Sequence, residues 1–247
     1  MLSYSLLLAW LPLVFPLDKI PTCGQQADRD EFAWRVTVTM GPGGSPLCTG
    51  TLLAADTVLT AGHCCDGMAA SRLAVEVGNY MLHEQDPDQA SISVKGVYLH
   101  EHYDSWTISN DICLLKLEGS ADLSSPSIGL ALLPAEEPPA GSLCTIAAWA
   151  PDCPAACPLS KLEVPVWAME DCQHSYGDTL GGDNICAGMS HGGCDFCQGN
   201  SGGGLVCWDG VIVGLASWGY GCGQPGYPTV YTSVAYFSDW IQSHMNM

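Results

Sequence analysis

The chain has 247 residues, which is long enough for one large domain or two small ones with a real hydrophobic core. Its formal charge of −19, from 26 acidic residues against seven lysines and arginines, would repel the phosphates of nucleic acids and of anionic membranes, which excludes both as partners. The 28 glycines, 16 prolines and 14 cysteines are typical of a turn-rich protein that folds in an oxidising compartment.

The chain begins with the apolar stretch MLSYSLLLAWLPLVFPL, residues 1–17. This stretch is short for a membrane span and is typical of a secretory signal peptide, although it lacks basic residues at its start. An uncleaved membrane anchor is the less favoured interpretation because of that short length. No second apolar run of membrane length follows, so we expect a secreted, extracellular protein that has no membrane partner after removal of the signal.

Short runs typical of β-strands recur between turn residues along the rest of the chain. In order they are FAWRVTV, DTVLTA, LAVEVGNY, SISVKGVYL and DICLLKL, then LCTIAAWA, KLEVPVWA, GGLVCW, VIVGLASWG and TVYTSV. A proline-rich acidic stretch at residues 132–142 divides the runs into two sets and predicts two antiparallel β modules. Only the final SVAYFSDWIQSHM has helical spacing, with Val234, Phe237 and Ile241 on one face.

The stretch CQGNSGGGLVC, residues 197–207, surrounds Ser201 with glycines. A serine hydroxyl becomes an effective nucleophile when a base removes its proton and backbone N–H groups stabilise the resulting oxyanion. Glycines permit a tight turn that aims the N–H groups of Gly199 and Ser201 at one point. Such turns also occur around serines with a purely structural role, so this motif alone leaves both interpretations open.

Two further motifs supply the partners that such a serine needs. LTAGHCC places His63 after a predicted strand, and ISNDICLLKL places Asp111 at the start of an apolar strand where burial is expected. In the order His63, Asp111, Ser201, the motifs resemble those of the trypsin/chymotrypsin family of serine proteases. The resemblance extends from about Glu31 to Ile241 and includes GYGCGQPGYPTVYTSV and the DWI of the terminal segment.

The resemblance implies an all-β fold of two six-stranded antiparallel β-barrels with a C-terminal helix. After the signal peptide at 1–17, it implies an altered activation segment at 18–30, a first barrel at 31–133, and a linker, second barrel and helix at 134–247. It also implies a serine endopeptidase that acts through an acyl-enzyme, needs no cofactor or metal, and works at neutral or mildly alkaline pH, once His63 has lost its proton. The expected partners of this monomer are protein or peptide substrates and protein protease inhibitors.

The family's disulfide pattern implies the pairs Cys48–Cys64, Cys144–Cys207, Cys172–Cys186 and Cys197–Cys222. In that fold Cys65 and Cys113 follow the histidine and the aspartate, so they should lie close together, and we predict a fifth bridge between them. Four cysteines stay unassigned because they allow three pairings: Cys23, Cys153, Cys157 and Cys194. CPAAC and HGGCDFC also resemble zinc-ligand motifs, but disulfides are the simpler interpretation in a secreted chain.

The activation motifs depart from the family pattern. Family members pair a freed Ile or Val amino terminus with an aspartate directly before the serine, whereas this chain has Asn200 there, and a cut between Lys19 and Ile20 would expose IPTC. A buried aspartate without its ammonium partner would cost about 3–5 kcal/mol, so the loss of one partner favours the loss of the other. We therefore expect conventional zymogen activation to be weakened or absent. A protease-like binding or regulatory protein is the alternative to an active enzyme.

Smaller departures occur near the same motifs: Thr49 and Gly204 replace a glycine and a proline, and AWA at 148–150 replaces GWG. The acidic loop GNYMLHEQDPDQA carries Asn79 where calcium-binding relatives carry a glutamate, so calcium binding stays open.

The predicted specificity pocket combines opposing features. Asp195 occupies the floor position that binds Lys or Arg in trypsin-like members, whereas Phe196 and Thr229 stand where smaller residues keep the pocket open. Preference for basic residues and preference for small residues therefore both remain open. Three residues are expected to pair with the substrate backbone as an added strand: Ser217, Trp218 and Gly219.

Overall fold

The computed structural model describes residues 24–149, 156–193 and 200–245. The predicted signal peptide at 1–17 and the Lys19–Ile20 site lie outside the described residues. Within the described ranges, no helix has both the length and the apolar character needed to cross a membrane.

The first half of the described chain contains eight strands: β1 (Gln25–Gln26), β2 (Arg35–Thr39), β3 (Pro46–Ala54), β4 (Thr57–Thr60), β5 (Ala74–Val77), β6 (Met81–Leu82), β7 (Ala90–Leu99) and β8 (Cys113–Leu117). Six of them form a closed antiparallel barrel in the order β2-β3-β4-β8-β7-β5, and β1 and β6 are short strands outside it. Branched side chains such as Val36, Leu52 and Leu115 fill the interior and are fully buried. Burial of this apolar surface is the main force that closes the barrel.

The elements of the second half are β9 (Leu143–Ala148), β10 (Cys157–Pro158), β11 (Ser160–Pro165), α1 (Met169–Tyr176), β12 (Asn184–Ala187), β13 (Gly204–Cys207), β14 (Val211–Trp218), β15 (Thr229–Ser233) and α2 (Ser238–Met245). Together with β1, six of these strands form a sheet in the order β1-β11-β9-β13-β14-β15-β12. An antiparallel bridge between Val166 and Ala187 joins the end of β11 to β12. The six strands from β11 to β12 in this order therefore curve into a second barrel. The structure confirms the predicted all-β fold with a C-terminal helix.

An apolar layer holds the two barrels against each other. Leu59 and Ile112 of the first barrel pack in one buried cluster with Ile212 and Leu215 of the second. The same cluster contains three residues of the C-terminal segment that the sequence placed on one face: Val234, Phe237 and Ile241. The helix itself begins only at Ser238, so just the last of the three lies within it. This layer fixes the relative position of loops that come from different barrels.

The segment that precedes the first barrel is tied across both barrels. β1 pairs with β11, and the N–H of Ala27 donates to Leu159 O at 2.9 Å. Arg29 forms an ion pair with Asp86, with Nη1 2.8 Å from Oδ1. The described part of the predicted activation segment is therefore anchored on the body of the protein.

Asp86 is the buried centre of the acidic loop. Its Oδ2 atom accepts hydrogen bonds from the N–H groups of Tyr80 and Met81 at 2.7 and 2.8 Å. Burial opposes ionisation of this carboxyl, but the two N–H groups and the Arg29 guanidinium outweigh burial and hold its pKa below the usual range. A guanidinium thus neutralises the carboxylate in this loop.

We expect divalent-cation chelation to leave the thermal unfolding midpoint unchanged, because Arg29 already supplies the positive charge beside Asp86.

Asp86→Asn should lower the free energy of unfolding at neutral pH by about 1–2 kcal/mol, because hydrogen bonds to a charged group are lost. Because the pKa of Asp86 is lowered in the folded state, this contribution is present above the ordinary carboxyl pKa and disappears as the pH falls through the folded value. Urea unfolding of the wild type and of Asp86→Asn, at neutral pH and at about pH 3, measures this loss and its pH dependence, and thermal unfolding with and without a chelator measures the midpoint.

The matched control for this prediction is Glu84→Gln, which neutralises an exposed acid in the same loop. A midpoint that rises with added calcium, or an equal loss for the two variants at neutral pH, would contradict this account of the loop.

Candidate active site

His63 and Asp111 meet at the edge of the first barrel. His63 lies on a short 3-10 turn, Gly62–Cys64, directly after β4, and Asp111 directly precedes Ile112 and β8. Asp111 is fully buried, and its Oδ2 lies 2.8 Å from His63 Nδ1 while its Oδ1 accepts the backbone N–H of His63 at 2.7 Å. Only a glycine fits at position 62, because a Cβ there would lie 2.9 Å from the Ile112 nitrogen.

The second barrel also binds Asp111. The Ser217 hydroxyl donates to Asp111 Oδ2 at 2.5 Å, and the Thr232 hydroxyl donates to Asp111 O at 2.9 Å. Asp183 Oδ2 accepts the N–H of Asn110, which adopts the left-handed conformation at φ 52°. Asp183 and Thr232 could not be found from the sequence, because a buried polar residue that binds a distant loop leaves no local pattern.

Ser201 lies on a turn of the second barrel that packs against the strand leading to His63. Its carbonyl accepts the N–H of Thr49 at 2.8 Å. Gly202 has φ +77°, and a Cβ there would collide with Thr60 Oγ1 and lie 2.9 Å from the Ala61 nitrogen. Ala61 is two residues before His63. The fold therefore brings the Ser201 turn to the segment that carries the imidazole.

Several predicted site residues lie outside the described part of the chain: Gly199 of the oxyanion pair, Asp195 and Phe196 of the pocket, and Cys197. Their roles remain predictions. Of the described residues, Ser217 and Trp218 end β14 and Thr229 begins β15. Gly219 lies against Thr229, since a Cβ on it would be 3.7 Å from the Thr229 Cα. These four residues thus lie together at the end of β14, where β14 pairs with the start of β15.

Disulfides surround the site. The described residues contain the pairs Cys48–Cys64, Cys65–Cys113, Cys144–Cys207 and Cys172–Cys186, which are four of the five predicted pairs. Cys157 and Cys222 are also disulfide-bonded, and the pairing of Cys222 with Cys197 stays a prediction. Ligand atoms of Cys48, His63 and Cys64 lie within 4.8 Å of one another, but both sulfurs belong to one disulfide and are therefore not free to bind a metal.

Asn200 is buried directly before Ser201, with 1% of its surface exposed. Its carbonyl accepts the N–H of Gly203 at 2.7 Å, and a Cβ on Gly203 would collide with the side-chain Oδ1. Among the residues that the structure describes, no donor forms a hydrogen bond with that Oδ1 atom. A neutral amide at this place avoids the larger cost of burying a carboxylate.

We expect Asn200→Asp to lower the free energy of unfolding by about 3–5 kcal/mol and to leave any peptidase rate no higher, because it buries an unpaired charge. Denaturant unfolding and a peptide hydrolysis assay on the uncleaved chain measure the two effects. Gln173→Glu, which makes an amide-to-acid change at an exposed position of α1, controls for the change of charge away from Ser201. A faster peptidase rate in Asn200→Asp would overturn this account of position 200.

Sequence comparison agrees with this geometry. The family model described as "Trypsin" matches residues 21–241. Trypsin-2 of Salmo salar is 37% identical over 205 residues, covering 82% of this chain and 86% of that protein. Trypsin I-P1 of Gallus gallus is 37% identical over 238 residues, covering 93% and 90%. Anionic trypsin of Canis lupus familiaris is 37% identical over 230 residues, covering 92% and 89%.

The fold, the matched family and these relatives define the class of the protein as a serine endopeptidase of the hydrolases. The chain belongs to the trypsin family.

Proposed function

We propose that this protein is a catalytically competent, secreted serine endopeptidase in which Ser201, His63 and Asp111 act together on peptide bonds. The observation that carries the proposal is the double hydrogen bond from His63 to the buried carboxylate of Asp111. A buried carboxylate aimed at Nδ1 favours the tautomer that has its free lone pair on Nε2. That lone pair is what a general base needs.

In the proposed reaction the Ser201 hydroxyl attacks the substrate carbonyl carbon while His63 Nε2 takes the hydroxyl proton. The resulting oxyanion is stabilised by the N–H groups of Gly199 and Ser201, and His63 then passes its proton to the departing amine. Water attacks the acyl-enzyme with His63 again as base, which restores the Ser201 hydroxyl and releases the acid product. Asp111 stays ionised throughout and stabilises the imidazolium.

Secretion is supported by the cysteine chemistry and by the amino terminus. Disulfides form and persist in oxidising compartments, and four are present among the described residues. Residues 1–17 have the composition of a signal peptide. We propose that removal of this stretch leaves one peptidase domain, with a first barrel at 31–133 and the second barrel and helix at 134–247.

Substrates of this site would be proteins or peptides that bind in an extended form. The edge formed by Ser217, Trp218 and Gly219 lies next to Asp111 through the Ser217 hydroxyl, so a peptide paired there would run past His63. Trp218 packs edge-on against Tyr176 with ring centroids 5.0 Å apart, which gives this edge an apolar floor.

The proposal predicts that a fluorophosphonate labels Ser201 in the purified, secreted protein. His63→Ala should lower the second-order rate of labelling by more than about 10³-fold, because the hydroxyl loses its base. Mass spectrometry of the labelled peptide identifies the serine. Ser91→Ala, a change of an exposed serine on β7, is the matched control and should label like the wild type. Absence of labelling, before and after cleavage at Lys19, would favour the binding or regulatory protein instead.

Cleavage of peptides that differ only in one residue tests the pocket. If the Asp195 carboxylate is accessible, a peptide with Arg before the scissile bond should be cleaved at least about 10²-fold more efficiently than one with Ala, and Asp195→Ser should remove the difference. Equal kcat/KM values for the two peptides in the wild type would show that Phe196 and Thr229 close the pocket to basic side chains.

A further inference from the structure

A buried arginine lies next to the segment that holds the Ser201 turn. Arg35 on β2 is only 6% exposed, and its guanidinium lies over the Trp149 ring with Cζ 4.0 Å from the ring centroid. Nη2 donates to the hydroxyl of Thr49 at 3.1 Å, and Nε donates to Ala147 O at 3.4 Å. Within the described ranges no carboxylate forms an ion pair with Arg35 and no group accepts a hydrogen bond from its Nη1 atom.

This arrangement opposes folding. Burial disfavours the charged form and lowers the pKa of Arg35 to about 9, which leaves the guanidinium charged at neutral pH. A buried cation without a carboxylate costs free energy, and a neutral side chain of similar size would avoid that cost. Groups that are buried at such a cost often serve a functional site.

Thr49 connects Arg35 to Ser201. The Thr49 hydroxyl accepts from the guanidinium, while the Thr49 N–H donates to the Ser201 carbonyl at 2.8 Å. The Thr49 carbonyl in turn accepts from the Thr60 hydroxyl at 2.8 Å, on the strand that leads to His63. Thr49 therefore holds the Ser201 turn, and Arg35 holds the side chain of Thr49.

The sequence departs from the family pattern at Thr49, which replaces a glycine, and around Trp149, where AWA replaces GWG. The proposed catalytic steps use neither feature. A further departure, Asn200, lacks the charge that a freed amino terminus would pair with, and its Oδ1 atom has no hydrogen-bond partner within residues 24–149, 156–193 and 200–245. The Ser201 turn therefore needs another constraint to keep its N–H groups in place.

We propose that Arg35 is a positioning residue that fixes the Ser201 turn through Thr49, so that the uncleaved chain is active without a freed amino terminus. The proposal rests on the proposed function in so far as Ser201 is the nucleophile. Arg35 acts through Thr49 and does not touch the substrate.

The decisive variants are at Thr49. Thr49→Val keeps the backbone N–H and the shape of the side chain but removes the hydroxyl, and Thr49→Ser keeps the hydroxyl. In the uncleaved chain, Thr49→Val and Arg35→Gln should lower the fluorophosphonate labelling rate by about 10²-fold, the loss expected when a reacting group is slightly misplaced. In a peptide hydrolysis assay the same variants should lose kcat with KM unchanged, because the substrate contacts remain.

Two controls should label at the wild-type rate: Thr49→Ser, and Arg72→Gln, which removes an exposed arginine. Cleavage of the wild type at Lys19 should also leave the rate unchanged. A rate that rises more than about tenfold on cleavage would overturn the proposal, since conventional activation would then supply the constraint. Wild-type labelling by Thr49→Val would overturn it as well.

Amide hydrogen exchange separates this proposal from the proposed function. Exchange at Thr49 and Gly202 should accelerate in Arg35→Gln and Thr49→Val but not in Arg72→Gln, whether or not the protein hydrolyses anything. If the wild type is never labelled but exchange responds in this way, the peptidase proposal fails and the positioning role stands. Unchanged exchange in Thr49→Val would overturn the positioning role, even if Arg35→Gln fails to fold.

Discussion

The burial of the Asp111 carboxylate is the constraint on which the rest of this structure depends. A charge in a site of low polarity requires hydrogen-bond donors around it, and Asp111 finds them on both barrels. His63 supplies two from the first barrel, and Ser217 supplies one from the second. The two barrels therefore dock in one relative position, since a shift would break the hydrogen bond from Ser217 to the carboxylate. The apolar layer around Ile112 and Leu215 provides the attraction, and Asp111 selects the geometry.

Sequence reasoning could predict the elements that have a local pattern. Runs such as VIVGLASWG and DICLLKL have enough branched apolar residues to indicate β14 and β8. By contrast, the sequence does not predict β3, because Cys, Thr and Gly interrupt its apolar residues. It does not predict α1 either, because Cys172 is the one residue of that helix that is buried. β1 is too short to give any periodic signal. These elements exist because partners elsewhere in the chain stabilise them.

The same distinction holds for the site. His63, Asp111 and Ser201 stand in motifs whose order identifies them, whereas Arg35 had no such signal. In FAWRVTV, Val36 and Val38 face the barrel interior, so alternation would place Arg35 on the solvent side. That side is instead covered by Ala147 and Trp149 of the second barrel. Packing between barrels, which no local pattern reports, decides the environment of this arginine.

The disulfide between Cys65 and Cys113 has a consequence for how the site comes apart. It ties the histidine turn to the first residue of β8, two positions after Asp111, while Cys64 ties the same turn to β3. The imidazole and the carboxylate thus share one covalently closed unit, whereas the contacts described for the Ser201 turn with that unit are non-covalent. When thermal fluctuations separate the two barrels locally, His63 and Asp111 should stay hydrogen-bonded to each other, and Ser201 should be the residue that moves away from them and comes back.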